Sequence, residues 1–85
     1  MNKETAQNLS KKLADEFSGD ADFEMIDESR GCYRFGLVSA QFKDVPHLTR
    51  QDQIWPIVNS ELSREDSLDV TLILAFAPDE IDGYE

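Results

Sequence analysis

Residues 27–42 read Asp27-Glu28-Ser29-Arg30-Gly31-Cys32-Tyr33-Arg34-Phe35-Gly36-Leu37-Val38-Ser39-Ala40-Gln41-Phe42, and the alternation inside this stretch decides the architecture. Tyr33, Phe35 and Leu37 fall on one face of an extended chain, and Cys32, Arg34, Gly36 and Val38 on the other. A period of two with the aromatic residues in one phase predicts a strand from Cys32 to Ser39, its aromatic face against the core. Ser29-Arg30-Gly31 predicts a turn before it. Upstream of the turn, Ala21, Phe23 and Met25 alternate with Asp22 and Glu24, which predicts a second strand antiparallel to the first.

Working outward, residues 3–17 predict a helix. Leu9, Leu13 and Phe17 share one face with Ala6 and Ala14, and Ser18-Gly19-Asp20 ends it, with Gly19 as the expected left-handed cap. Asp44-Val45-Pro46 predicts a turn. The next helix carries Ile54, Trp55, Val58 and Leu62, and Trp55 reads as a core residue from its phase. Thr49 with Asp52 resembles a capping pair, but that start places Pro56 deep inside. A start at Asp52 is preferred, with a loose turn over residues 47–51.

Ser63–Ser67 reads as a polar loop. Leu68–Phe76 predicts the third strand, with Val70, Leu72, Leu74 and Phe76 on the core face and Asp69, Thr71 and Ile73 on the other. Pro78-Asp79-Glu80 predicts a short turn of helix, and residues 82–85 a frayed end. The expected fold is α+β, in the order α-β-β-α-β-(α), one domain over residues 1–85. Its three-stranded mixed sheet has both long helices on one face, and a helix-containing crossover makes the second and third strands parallel. The open face would then carry Arg34, Val38, Thr71 and Ile73 as candidate partner-binding residues. Cys32 and Asp69 would share one end of the sheet.

Composition narrows the function. The chain has 85 residues and 40% hydrophobic content, enough for one small core, with little room for a deep catalytic pocket. A net charge of −10, with the Lys and Arg scattered, opposes binding to nucleic acid or anionic membranes. The run Val70–Ala77 is too short to span a bilayer, and no apolar segment follows the first residues. The single Cys permits no internal disulfide, which fits a reducing compartment; a cytoplasmic protein, monomeric when alone, is expected. No phosphate-binding glycine loop, Ser-His-Asp set or metal triad is present.

Three segments together carry a resemblance: Val38-Ser39-Ala40-Gln41-Phe42, then Leu48-Thr49-Arg50 with Glu61-Leu62, and Ala77-Pro78-Asp79-Glu80. The chain resembles the BolA-like family over about two thirds of its length, and the expected topology also resembles one class of KH domain. The BolA-like resemblance implies a non-enzymatic adaptor with a role in stress-related regulation. Its partner would be a monothiol glutaredoxin, with which it shares a two-iron, two-sulfur cluster completed by glutathione. It implies Cys32 as the loop ligand, in a Gly-Cys-x-x-Phe setting. It also implies a His where Asp69 stands, so Asp69 is the second candidate position. His47 lies in the connection that starts at the far end of the strand and does not replace it.

Cys32 has a bland alternative as a small buried apolar residue. Asp69 has one as a solvated residue at a strand start. Two other functions remain open from sequence. A KH-like nucleic-acid regulator is opposed by charge and by the lack of a Gly-x-x-Gly loop. A small metal- or thiol-dependent enzyme using Cys32 with Asp69 lacks an activating base.

Overall fold

The computed structural model describes residues 1–81, so the expected fraying of residues 82–85 lies outside the described residues. Helix α1 (Lys3–Glu16) leads into an antiparallel hairpin of β1 (Asp20–Asp27) and β2 (Cys32–Val38). A single 3-10 turn (Ala40–Phe42) precedes α2 (His47–Glu61); a one-turn helix α3 (Arg64–Ser67), strand β3 (Val70–Phe76) and a short α4 (Pro78–Ile81) follow. The sheet order is β1-β2-β3, and β2 and β3 run parallel. The fold is therefore α+β with a three-stranded mixed sheet.

Local chemistry explains most boundaries. Asn2 caps α1, its Oδ1 accepting from the Thr5 N–H at 2.8 Å. Ala6, Leu9, Leu13 and Phe17 form the buried stripe of that helix and pack with Tyr33, Phe35 and Leu37. Ile54, Val58 and Leu62 of the α2 segment join the same cluster, so both long helices cover one sheet face. Each fully buried Leu, Ile or Phe contributes about 2 kcal/mol by leaving water. The hairpin turn is held by Asp27, whose Oδ1 accepts from the Ser29 hydroxyl at 2.8 Å and the Ser29 N–H at 3.1 Å. These bonds hold the Asp27 carboxyl below its ordinary pKa.

Four expectations are corrected. The left-handed residue after α1 is Ser18 (φ 51°), not Gly19. Gly19 is required for another reason: a Cβ there would lie 1.9 Å from the Val38 carbonyl oxygen, so only glycine lets the chain pass the end of β2. Helix α2 begins at His47, not Asp52, and holds Pro56 inside. The carbonyl that Pro56 leaves without its helical donor is that of Asp52, an exposed residue. The early turn is worth forming because it carries Arg50 and Gln51 to the edge of β3. Ser63–Ser67 is not a plain loop, since Ser63 caps the turn of α3 through the Asp66 N–H at 3.1 Å.

The fourth correction matters most for function. The β2–β3 register runs Tyr33↔Val70 and then Arg34↔Leu72, so Thr71 is an extra residue in β3. A bulge of one residue inverts the phase of everything after it. Ile73 (2% exposed) and Ala75 (4%) point into the core, whereas Leu72 (45%) and Leu74 (37%) point out. Ile73 is therefore a core residue and is not on the open face.

Candidate functional site

The open face is a grid that the register lays out row by row. Asp20, Val38 and Phe76 form one row; Asp22, Gly36 and Leu74 the next; Glu24, Arg34 and Leu72 the third. Down the columns, β1 is acidic and β3 is apolar. Between them Arg34 pairs with Glu24 at 2.5 Å, so its guanidinium is already engaged. Both side chains are half exposed, and such a pair adds little stability. Gly36 leaves the centre low. The Asp22 carboxylate lies over it, with Oδ1 2.6 Å from where a Gly36 Cβ would sit. The result is a shallow concavity of about 760 Å³, which Asp22, Gly36, Val38 and Leu74 help to line. Val38 and Thr71, both expected on the open side, are half-buried and exposed respectively.

Cys32 and Asp69 are brought to the same end of the sheet, as the parallel pairing requires. The Tyr33 N–H, next to Cys32, donates to the Asp69 carbonyl at 2.8 Å. Cys32 is half-buried and pairs in register with Asp27 across a β1 irregularity. The Asp69 carboxylate, however, is taken by the Met1 α-amino group, which also lies 3.7 Å from Asp66. That contact, with Asp69 hydrogen bonding as its main cause, raises the pKa of the amino group. Met1 also lies beside Gly31, where a Cβ would approach the Met1 carbonyl to 3.3 Å.

A shared two-iron cluster would call on Cys32 and Asp69 from this chain. One half-buried thiol and a carboxylate already held by an ammonium do not fit such a centre, whose usual ligands are thiolate and imidazole. Among the described residues no three His, Cys, Asp or Glu side chains are grouped to hold a metal. His47 opens α2 as an exposed residue, far along the chain from this end.

At the opposite end, the three segments that carry the resemblance meet. Ser39 donates its buried hydroxyl to the Phe17 carbonyl at 2.5 Å and accepts from the Gln41 N–H at 3.1 Å. Phe42 packs against Phe17 with centroids 5.1 Å apart and the rings tilted by 39°, and the Arg50 guanidinium lies 5.7 Å from the Phe42 ring centre. Arg50 is 2% exposed. Its Nε donates to Val45 O at 2.8 Å. Nη1 donates to Ala75 O at 2.9 Å and Glu80 Oε1 at 2.7 Å; Nη2 donates to Phe42 O at 2.7 Å and Glu80 Oε2 at 3.0 Å. Every guanidinium N–H is used. Glu80 also accepts from the Ala77 N–H at 2.7 Å. The Arg50 bonds, then the Ala77 bond, bring its pKa down to about 2.

Sequence reasoning therefore missed two things. One is the Arg50–Glu80 joint, whose signal was a lone Arg in an otherwise apolar helix phase. The other is the Asp22–Leu74 face, whose signal was Gly36 at an outward strand position. No described helix is long and apolar enough to cross a membrane. Comparison with protein-family models, with curated proteins and with solved structures gives no match for this chain.

Proposed function

We propose that this protein is a non-enzymatic adaptor of BolA-like character that docks a protein partner on its open sheet face. One observation carries the reading: helices cover a single side of the sheet, and the other side exposes Leu72 and Leu74 beside charged neighbours. Aliphatic side chains placed side by side in solvent mark a surface meant for contact more often than scattered single ones do. The convergence of Ser39, Phe42, Arg50 and Glu80 supports the family part, because the resembling segments act together as one folding joint. A monothiol glutaredoxin is the partner class the resemblance implies.

The chain is to be mixed with a monothiol glutaredoxin carrying its cluster, and the mixture followed by native mass and visible absorbance. The expected result is a complex that weakens in Leu72→Lys. Cys32 is the single cysteine in the sequence, so any cluster absorbance in the complex should fall in Cys32→Ser. Absence of a complex would remove glutaredoxin as the partner class, and a complex indifferent to Leu72→Lys would sink docking on the open face.

A further inference from the structure

We propose that the occupant of the open face is a basic amphipathic helix of the partner protein; this deepens the adaptor reading and rests on it. The argument is one of shape and charge. The acidic β1 column and the apolar β3 column are two strand spacings apart, about 10 Å. That matches the width of a helix, about 10 Å with its side chains. Over Gly36 the Asp22 carboxylate reaches in from β1, which brings the acidic flank of the shallow concavity toward Leu74. A helix lying there would set an apolar stripe on Val38, Leu72 and Leu74. Its next flank would face Asp20 and Asp22.

Charge selects the basic helix. Among the described residues no cation pairs with Asp20 or Asp22, while Glu24 is satisfied by Arg34. Covering two unpaired carboxylates is unfavourable unless the occupant brings Lys or Arg to them. A second copy of this chain offers only Arg34 on the same face, and Glu24 holds it. Two chains of net charge −10 also repel. Nucleic acid and anionic lipid bring the wrong sign. A helix with one apolar and one basic flank meets both columns at once, the groove mode of helix recognition.

The probe is a fluorescent helix-forming peptide of about five turns, with a Leu stripe at i, i+3, i+4 and i+7 and Lys or Arg along one flank. Two controls are a scrambled peptide of the same composition and one with Glu replacing each basic residue. Anisotropy should show saturable binding of the first peptide, and binding of both controls weaker by at least about tenfold. Asp22→Lys and Leu74→Gln, each checked for folding by circular dichroism, should weaken binding by about tenfold. In the unmodified protein, amide shifts should centre on Gly36, Val38 and Leu74. A scrambled peptide that binds equally well overturns the proposal, as do shifts confined to α1 and α2 or indifference to both substitutions. If the peptide fails while glutaredoxin still docks in a Leu72-dependent way, the helix proposal falls and the adaptor reading stands. If the peptide binds and glutaredoxin does not, the partner class falls and the helix-binding face stands.

Discussion

The two ends of the β2–β3 pair handle charge in opposite ways. Where the strands finish, Arg50 is buried, and its five N–H groups all reach carbonyls or Glu80. Where they begin, Cys32 is half-buried and Asp69 is held by the Met1 amino group, with Asp66 nearby. The first end ties α2, β3, α4 and the turn after β2 into one joint. At the second, the Asp69 carbonyl accepts from the Tyr33 N–H, and the Asp69 side chain is taken by the first residue of the chain. The lesson is that the residues resembling a family signature here build the fold, while the positions expected to do chemistry lie at the looser end. The exposed leucines Leu72 and Leu74 belong to neither end but to the sheet face between them.

The contrast breaks most readily at Arg50. Arg50→Met strands Glu80 and three backbone carbonyls, and stability should drop by about 3 kcal/mol, because a buried side chain and its hydrogen bonds to Val45, Ala75 and Phe42 are lost together. Urea unfolding followed by Trp55 fluorescence measures it; a loss no larger than that of a surface substitution would erase the distinction between the ends. Gly19→Ala comes next, because the new Cβ meets the Val38 backbone at 1.9 Å, and about 2 kcal/mol should be lost. Gly31→Ala, at the looser end, meets only the Met1 backbone at 3.3 Å and a φ of 67°. Its loss should be nearer about 1 kcal/mol. Equal losses at the two glycines would contradict the comparison.

The ends should also titrate with opposite sign. Glu80 has a folded pKa near 2 against an ordinary 4.5. Its contribution is complete above about 4.5 and fades as pH falls through about 2, where the unfolded chain has already bound the proton. The Met1 amino group is shifted up from 8.0. Its contribution is complete below 8.0 and fades as pH rises through the higher folded value. Thermal melts across pH should therefore show an acid limb that flattens in Glu80→Gln and an alkaline limb that flattens in Asp69→Asn. An alkaline limb unchanged in Asp69→Asn would show that the terminal pair contributes nothing.

The smallest effect is at Cys32. Its thiol should react with a labelling reagent in the folded protein, and Cys32→Ser should change stability by less than about 1 kcal/mol. Reaction only after denaturation would make it a core residue and remove it from any site.

Much of the fold was legible in residue order because the contrast between faces was strong. Leu9, Leu13 and Phe17 against the lysines of α1, and Tyr33, Phe35 and Leu37 against Arg34 and Gly36, left one phase for each element. The parallel pairing of β2 with β3 followed from the helix between them, and with it the nearness of Cys32 and Asp69. The segment Val70–Phe76 offered no such contrast. It is apolar at nearly every position, so both phases look alike, and a one-residue bulge at Thr71 chose between them. The start of α2 was hidden for a different reason. A proline ten positions into a helix argues against it locally, and the compensating bonds from Arg50 go to Phe42, Val45, Ala75 and Glu80. Local periodicity thus determined which segments are helix and strand, since it depends on neighbours along the chain. Tertiary structure alone decided which side of β3 meets solvent, which residue satisfies Arg50 and what occupies Asp69, because each depends on groups that become neighbours only when the sheet is assembled.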